Sequence, residues 1–172
     1  YLTDEIVKKA GKNKKVLIEF IRKRSAEECY RILCEKSEIP VFLMTGDSSI
    51  LDRKRMIRKI EALDSVILVA TQVVEAGVDI DMDIGYKDIS RLDSEEQFMG
   101  RINRSGRKSG IVYFFDLDNA EKIYSGDKRI EKDKTLVNKE MRELLTAKNF
   151  PAYYENGILP LVLAEKKKCN DE

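Results

Sequence analysis

The sequence contains no histidine. Imidazole is the side chain whose ordinary pKa lies near neutrality, so histidine-based acid–base, nucleophilic and metal chemistry is excluded within this chain. Cysteine is scarce too: Cys29, Cys34 and Cys169 are an odd number with no Cys-x-x-Cys pair. That pattern gives no zinc site and fits a reducing, cytoplasmic setting. One sign of charge is not in excess either. With 32 Lys+Arg against 31 Asp+Glu the net charge is +1, so local clusters rather than a global field must attract any polyanion. No apolar run has membrane-spanning length, and none has the form of a secretory leader. A glycine-rich phosphate loop ending in Gly-Lys-Ser/Thr is missing as well.

The 172 residues suffice for a domain with a real core, and 42% of them are hydrophobic. Charged residues make up 37%, above the typical quarter or so; such surfaces are also found in thermophiles. The first residue is Tyr1 rather than Met, and we expect a piece of a larger protein. Residues 1–13 form a helical or linking entry. Lys15 to Phe20, Val41 to Met44, Val66 to Ala70, residues 83–89 and Gly110 to Asp116 read as five strands. Between them, Ser25-x-x-Glu28 and Ser94-x-x-Gln97 read as capping boxes that start helices, and Ile50 to Leu63 as a helix with an apolar face. Cys29, on an apolar helix face, is a core residue. Strands alternating with helices imply βαβ units and a mostly parallel sheet. No internal repeat is present. Beyond Asn119 the pattern changes. A helix is expected over 134–148 with Leu136, Val137, Met141 and Leu144 as apolar positions. Pro151 and Pro160 should break the chain, and the Lys-rich end, 166–172, should fray.

The stretch 66–107 organises the rest. A strand runs into Thr71, a GVD turn follows at Gly77–Val78–Asp79, and then comes QFMGRINR, residues 97–104. At about 100° per residue, Gln97, Arg101 and Arg104 fall within roughly 60° of one another on a helix. Phe98, Met99 and Ile102 face the other way, suited to packing on the sheet. Two arginines on one turn suit phosphate. Strand ends carrying small polar residues mark the carboxyl edge of a sheet, where α/β folds bind ligands. Taken alone, the arginines read as a solvated face of an amphipathic helix; the preceding strand and GVD in the same order favour function.

ATQVVEAGVDID (70–81) resembles motif V of the superfamily two helicases, and QFMGRINR (97–104) resembles their motif VI. The wording TQVVEAGVDID, with Gln97 opening motif VI, is most similar to the CRISPR-associated helicase–nuclease of type I systems. It is less similar to DEAD-box RNA helicases, which usually carry an Ala-Arg pair where Glu75 and Ala76 stand. Phe98 departs from the family's usual Arg. The resemblance covers about residues 14–117. It implies an α/β, RecA-like, three-layer domain over residues 1–120, with a short helical extension or linker over 121–172.

The resemblance also implies roles. Arg101 and Arg104 match the arginine fingers. Gln97, Gly77 and Asp79 match positions at the nucleotide and the coupling region. Thr45, Gly46 and Thr71 match contacts to the nucleic-acid backbone. Each has a plainer reading as well: Thr45–Gly46 as a strand-to-helix turn needing glycine's backbone angles, Thr71 as a helix N-cap, Gly77 as a helix terminator, Asp79 as a turn residue. The basic runs Arg22–Arg24 and Arg53 to Lys59 read as solvated surface, unless the first borders the same edge. No DEAD- or DExH-type acidic motif is present to hold magnesium. The implied function is therefore the second motor domain of an ATP-dependent single-stranded-DNA translocase in CRISPR interference. ATP and Mg2+ would be held mainly by a first RecA-like domain, and the isolated chain would be inactive. Implied partners are that domain, single-stranded DNA, an HD-type nuclease domain or subunit and a guide-RNA surveillance complex, with no membrane. The alternatives are a domain of another DExH/DEAD-type DNA-repair or RNA helicase, or a non-catalytic α/β interaction domain, which Phe98 favours.

Overall fold

The computed structural model describes residues 1–11, 13–74, 78–106 and 109–170, the stretch 165–170 by backbone alone. The chain divides into two compact units, one of Tyr1–Asp88 with Gln97–Asp118, the other of Ile89–Glu96 with Asn119–Glu172.

The larger unit is built on five parallel strands: β1 (Lys15–Glu19), β2 (Val41–Met44), β3 (Val66–Ala70), β4 (Ile84–Asp88) and β5 (Ile111–Phe115), in spatial order β2-β3-β1-β4-β5. Helices α1 (Leu2–Ala10), α2 (Lys23–Lys36), α3 (Ile50–Ala62) and α4 (Leu92–Met99) alternate with them, and α4 runs across the boundary between units. Strand side chains alternate between faces. Val16, Ile18, Ile67 and Val69 meet Ala26, Cys29 and Leu33 of α2 on one face of the sheet. Leu17, Val66 and Leu68 join Ile60 of α3 and Phe98 of α4 on the other. β3 and β4 are buried along their whole length, the state expected of parallel strands covered on both sides. This is an α/β, RecA-like, three-layer domain.

Both expected capping boxes give way to other arrangements. α2 begins at Lys23, so Ser25 lies inside the helix. The start is organised by Asp118, distant in sequence, whose carboxylate accepts the Arg22 N–H at 3.0 Å and the Ser25 hydroxyl at 2.8 Å. A carboxylate there also complements the helix dipole. Likewise α4 starts two residues before Ser94. Glu95 reaches back to accept the Ser90 N–H at 2.6 Å, and Ser94 bonds the Ser90 hydroxyl at 3.1 Å. At the ends of β1 and β4, Glu19 and Lys87 form a fully buried ion pair.

In the smaller unit α5 (Ala120–Ile123) and two 3-10 turns lead to α6 (Lys139–Ala147), capped by Asn138, whose side chain accepts the Glu140 N–H at 2.8 Å. Leu136 and Leu145 are buried there, whereas Val137 is exposed. Neither proline ends the chain's helicity. Pro151 stands in the first turn of α7 (Phe150–Tyr153), where no intrahelical donor is needed. Pro160 stands near the start of α8 (Leu159–Asn170), which follows a π-helical segment, Tyr154–Ile158, without a break. Pro160 has no N–H to give to the preceding turn, and a widened turn there relieves its ring. No helix of the described residues is long and apolar enough to cross a membrane.

Candidate functional site

The adjacent parallel strands β2 and β3 end in register, Met44 beside Ala70, and the next residues are Thr45 and Thr71. The Thr71 N–H donates to the Met44 carbonyl at 3.1 Å, fixing the two threonines side by side at the carboxyl edge. Thr45 donates its own N–H to Ser48 Oγ at 3.2 Å. Both threonine amides are thus spent inside the fold. Both side chains are buried as well, Thr45 at 5% and Thr71 at 9% exposure, so the part of this edge open to solvent is the turn at Gly46.

Gly46 does not need to be glycine for the fold. Its backbone is not left-handed, and a Cβ built on it would meet nothing within 4 Å. The turn is held instead by Arg53 of α3, whose guanidinium donates to the Thr45 carbonyl at 3.2 Å and the Gly46 carbonyl at 3.1 Å. Arg53 is therefore a clamp rather than a solvated cation, while Lys54, Arg55, Arg58 and Lys59 are exposed. Ser49 caps α3 just beyond, accepting the Asp52 N–H at 3.1 Å. The basic run after β1 borders the same edge: Lys23 pairs with Asp47 of the turn and lies 3.5 Å from Glu27.

The expected helical face of Gln97, Arg101 and Arg104 is not formed. α4 ends at Met99. The amides of Arg101 and Ile102 close the last turn on Phe98 and Met99, and then the chain pairs with Met82 in a parallel bridge. Met82 donates to the Arg101 carbonyl at 3.0 Å, and Asn103 donates to the Met82 carbonyl at 2.7 Å with a left-handed backbone. Pairing to the sheet thus outcompetes a further helical turn.

Phe98 and Ile102 are buried as expected. The contact depends on Gly85: a Cβ on β4 at that point would lie 2.6 Å from the Phe98 ring and 3.0 Å from Ile102. Phe98 is therefore a packing anchor, which accounts for the departure from arginine there without loss of the segment's position. Gln97 is exposed.

The arginines converge another way. Arg101 Nε donates to the Val74 carbonyl at 3.2 Å, in the 3-10 turn that follows Thr71. Arg104 Nη1 lies 2.6 Å from Asp79 Oδ1, and both side chains are solvent-accessible, 46% and 85% exposed. Asp81 secures the backbone beneath them, accepting the N–H of Arg104 at 2.8 Å and of Ser105 at 3.3 Å. Val74, Asp79 and Asp81 are thus tied to the segment leaving α4 by two arginine side chains and two carboxylates. Gly77 lies outside the described residues. Asp81, Arg53 and Asp118 were missed from sequence. The alternation Asp79-x-Asp81 was a signal for the first; Arg53 acts on backbone carbonyls, and Asp118 on an amide and a hydroxyl more than 90 residues away, contacts that leave no local signal.

A family model described as the C-terminal part of the CRISPR-associated nuclease/helicase Cas3 matches residues 12–107. The CRISPR-associated nuclease/helicase Cas3 of Haloferax volcanii is 36% identical over 83 residues, 44% of this chain and 9% of that protein. The ATP-dependent RNA helicase DDX42 of Xenopus laevis is 30% identical over 134 residues, 75% of this chain and 14% of that protein. This chain therefore spans only a small part of both curated relatives. Among solved structures, T. fusca Cas3-ADP superposes with a TM-score of 0.63 at 17% identity, over 97% of this chain and 24% of that one. Domain 2 of the DEAD-box helicase Mss116p, bound to an RNA duplex, gives 0.59 at 22% identity, over 69% and 49%. At these identities the structural likeness shows the fold.

Proposed function

As this chain belongs to the Cas3-like helicase C-terminal family, we propose that it is the second motor domain of an ATP-dependent single-stranded-DNA translocase acting in CRISPR interference. Residues 1–120 are the motor domain in this reading, and 121–172 an extension toward further parts of the protein. The observation that carries it is that Arg101 is tied to Val74, in the 3-10 turn just after Thr71, and Arg104 to Asp79 and Asp81. In this reading the Arg101–Val74 contact links the group facing the phosphates to the turn after the group facing the strand.

Two guanidinium groups match the charge of a polyphosphate, and Arg104 reaches solvent. Among the described residues, no group of three or more His, Cys, Asp or Glu is placed to hold a metal ion. In this reading these residues face the far side of a nucleotide, and ATP and Mg2+ are held mainly by a first RecA-like domain. ATP supplies the phosphoryl group whose transfer drives the cycle. Arg101 and Arg104 stabilise the charge on it, Gln97 and Asp79 orient them, and Gly77 belongs with them to the nucleotide and coupling region. The Thr45 and Thr71 hydroxyls and the Gly46 turn grip the strand backbone. The partners in this reading are single-stranded DNA, an HD-type nuclease domain or subunit and a guide-RNA surveillance complex. The similarity to an RNA helicase supports a second reading, with RNA as the track.

The test uses the intact protein. Arg101→Ala/Arg104→Ala should cut strand-stimulated ATP turnover by roughly a hundredfold or more while nucleotide affinity changes little. Near-normal turnover would reject the finger assignment, and a collapsed melting temperature would make the pair structural. Stimulation of the parent by RNA but not by single-stranded DNA would select the second reading.

A further inference from the structure

The smaller unit carries a groove that the motor reading does not use. It is a cavity of about 730 Å3 lined by α6, the π-helical segment and the 3-10 turn at Asp133–Lys134. That is within the size range, roughly 300–1,000 Å3, of sites that take a ligand or the anchor side chains of a peptide.

Its floor is apolar: Met141 and Leu144 of α6 are half-buried, and Tyr153 is buried. Its rim is acidic, with the exposed Asp133, Glu140 and Glu143. Of the cations nearby, Lys134 is the one that lines the groove, and it is paired outside it, while Lys139 is paired with Glu143 of the rim. Lys134 lies 2.6 Å from Glu131, and Lys139 3.6 Å from Glu143. One wall is bare at Gly157, where a Cβ would meet only the Tyr153 ring, at 3.7 and 3.9 Å. An added side chain is therefore tolerated by the unit itself and would occupy the groove. An acidic rim repels phosphate, so this face is not an extension of a nucleic-acid track.

We propose that this groove docks a basic segment of a protein partner, which inserts apolar side chains between α6 and the π-helical turn and sets Lys or Arg against the rim. Apolar anchors give the affinity and the carboxylates select the sign of charge, the pattern of helix-in-groove recognition. The proposal is independent of the motor reading.

The probe is a short fluorescent peptide of Leu at helical spacing with Lys between, titrated against the whole chain, beside a counterpart with Glu in place of Lys. The Leu/Lys peptide should bind and the Leu/Glu peptide should not. Asp133→Asn/Glu140→Gln/Glu143→Gln, all at exposed positions, should weaken binding by about tenfold or more. Gly157→Leu should abolish it with little change in melting temperature. Absence of binding by the Leu/Lys peptide, equal binding of both peptides, or unchanged affinity in the triple variant would overturn the proposal. Should Gly157→Leu fail to fold, the triple variant decides.

Discussion

Gly46→Ala is expected to raise the stability of the chain while weakening its grip on a nucleic-acid strand. Glycine is costly in the unfolded state because it has more conformations to lose. Where the native backbone suits alanine, the exchange stabilises by about 0.4–1 kcal/mol. Gly46 meets that condition, since its backbone is not left-handed and a Cβ would have no neighbour within 4 Å. In a chain of this size each kcal/mol moves the midpoint by about 2–4 °C, so the melting temperature should rise by roughly 1–4 °C. In the proposed strand contact, the methyl group would stand where a phosphate approaches the turn. Losing one hydrogen bond to a charged group costs about 1.5–3 kcal/mol, or roughly ten- to a hundredfold in affinity. Thermal melts and fluorescence anisotropy on a labelled single-stranded oligonucleotide at low salt measure both effects on one sample. A fall in melting temperature would mean that the turn is strained and needs glycine. A stability gain with unchanged affinity would mean that nothing approaches the turn, and the strand-contact assignment of Thr45–Gly46 would fail with it.

The isolated chain should fold without hydrolysing ATP, and its affinity for single-stranded DNA should drop steeply with salt; turnover above a blank, or affinity indifferent to a several-fold rise in salt, would contradict the half-site reading. Burial lifts the carboxyl of Asp88 to about 6 from 3.8, although the Leu117 and Asp118 amides pull it down. The native state then holds this proton more tightly than the unfolded state, so stability should fall as pH rises from about 4 to about 6, by roughly 2–3 kcal/mol from this group. Asp88→Asn should flatten that slope in denaturant titrations, and an identical slope in variant and parent would discount Asp88 as its source. Lys87→Met should cost about 3–5 kcal/mol by breaking the buried ion pair with Glu19, read as a lower denaturation midpoint at unchanged m-value.

The strands were legible because parallel strands covered on both faces are written as unbroken apolar runs, and VLIE, VFLM, VILVA and IVYFF stand out against a charged background. The helix starts were less so. A capping box is a local device, and here a remote carboxylate, Asp118, and a longer reach by Glu95 take its place. The sharpest departure lies in the candidate site. Helical periodicity put Arg101 and Arg104 on one face, but residues 101–103 pair with Met82, and long-range pairing leaves no local periodic trace. Gly85 was a readable clue, since glycine inside a strand marks the close approach of another element, here Phe98 and Ile102. Motif order singled out Arg101, Arg104 and Asp79; the contacts among them and with Val74 and Asp81 depended on the fold.

Asp88 at the end of β4 accepts the amides of Leu117 and Asp118, and Asp118 in turn holds the Arg22 amide and the Ser25 hydroxyl where α2 begins. Two carboxylates in series thus fasten the exit of the last strand to the entrance of the first crossover helix. This sets a rule for trimming the protein. A chain cut after Phe115 would keep all five strands and yet lose the carboxylate at the start of α2, along with the tether on the basic residues beside it. The shortest autonomous version must reach past Asp118, and grafting this domain onto another scaffold should place the junction beyond that residue.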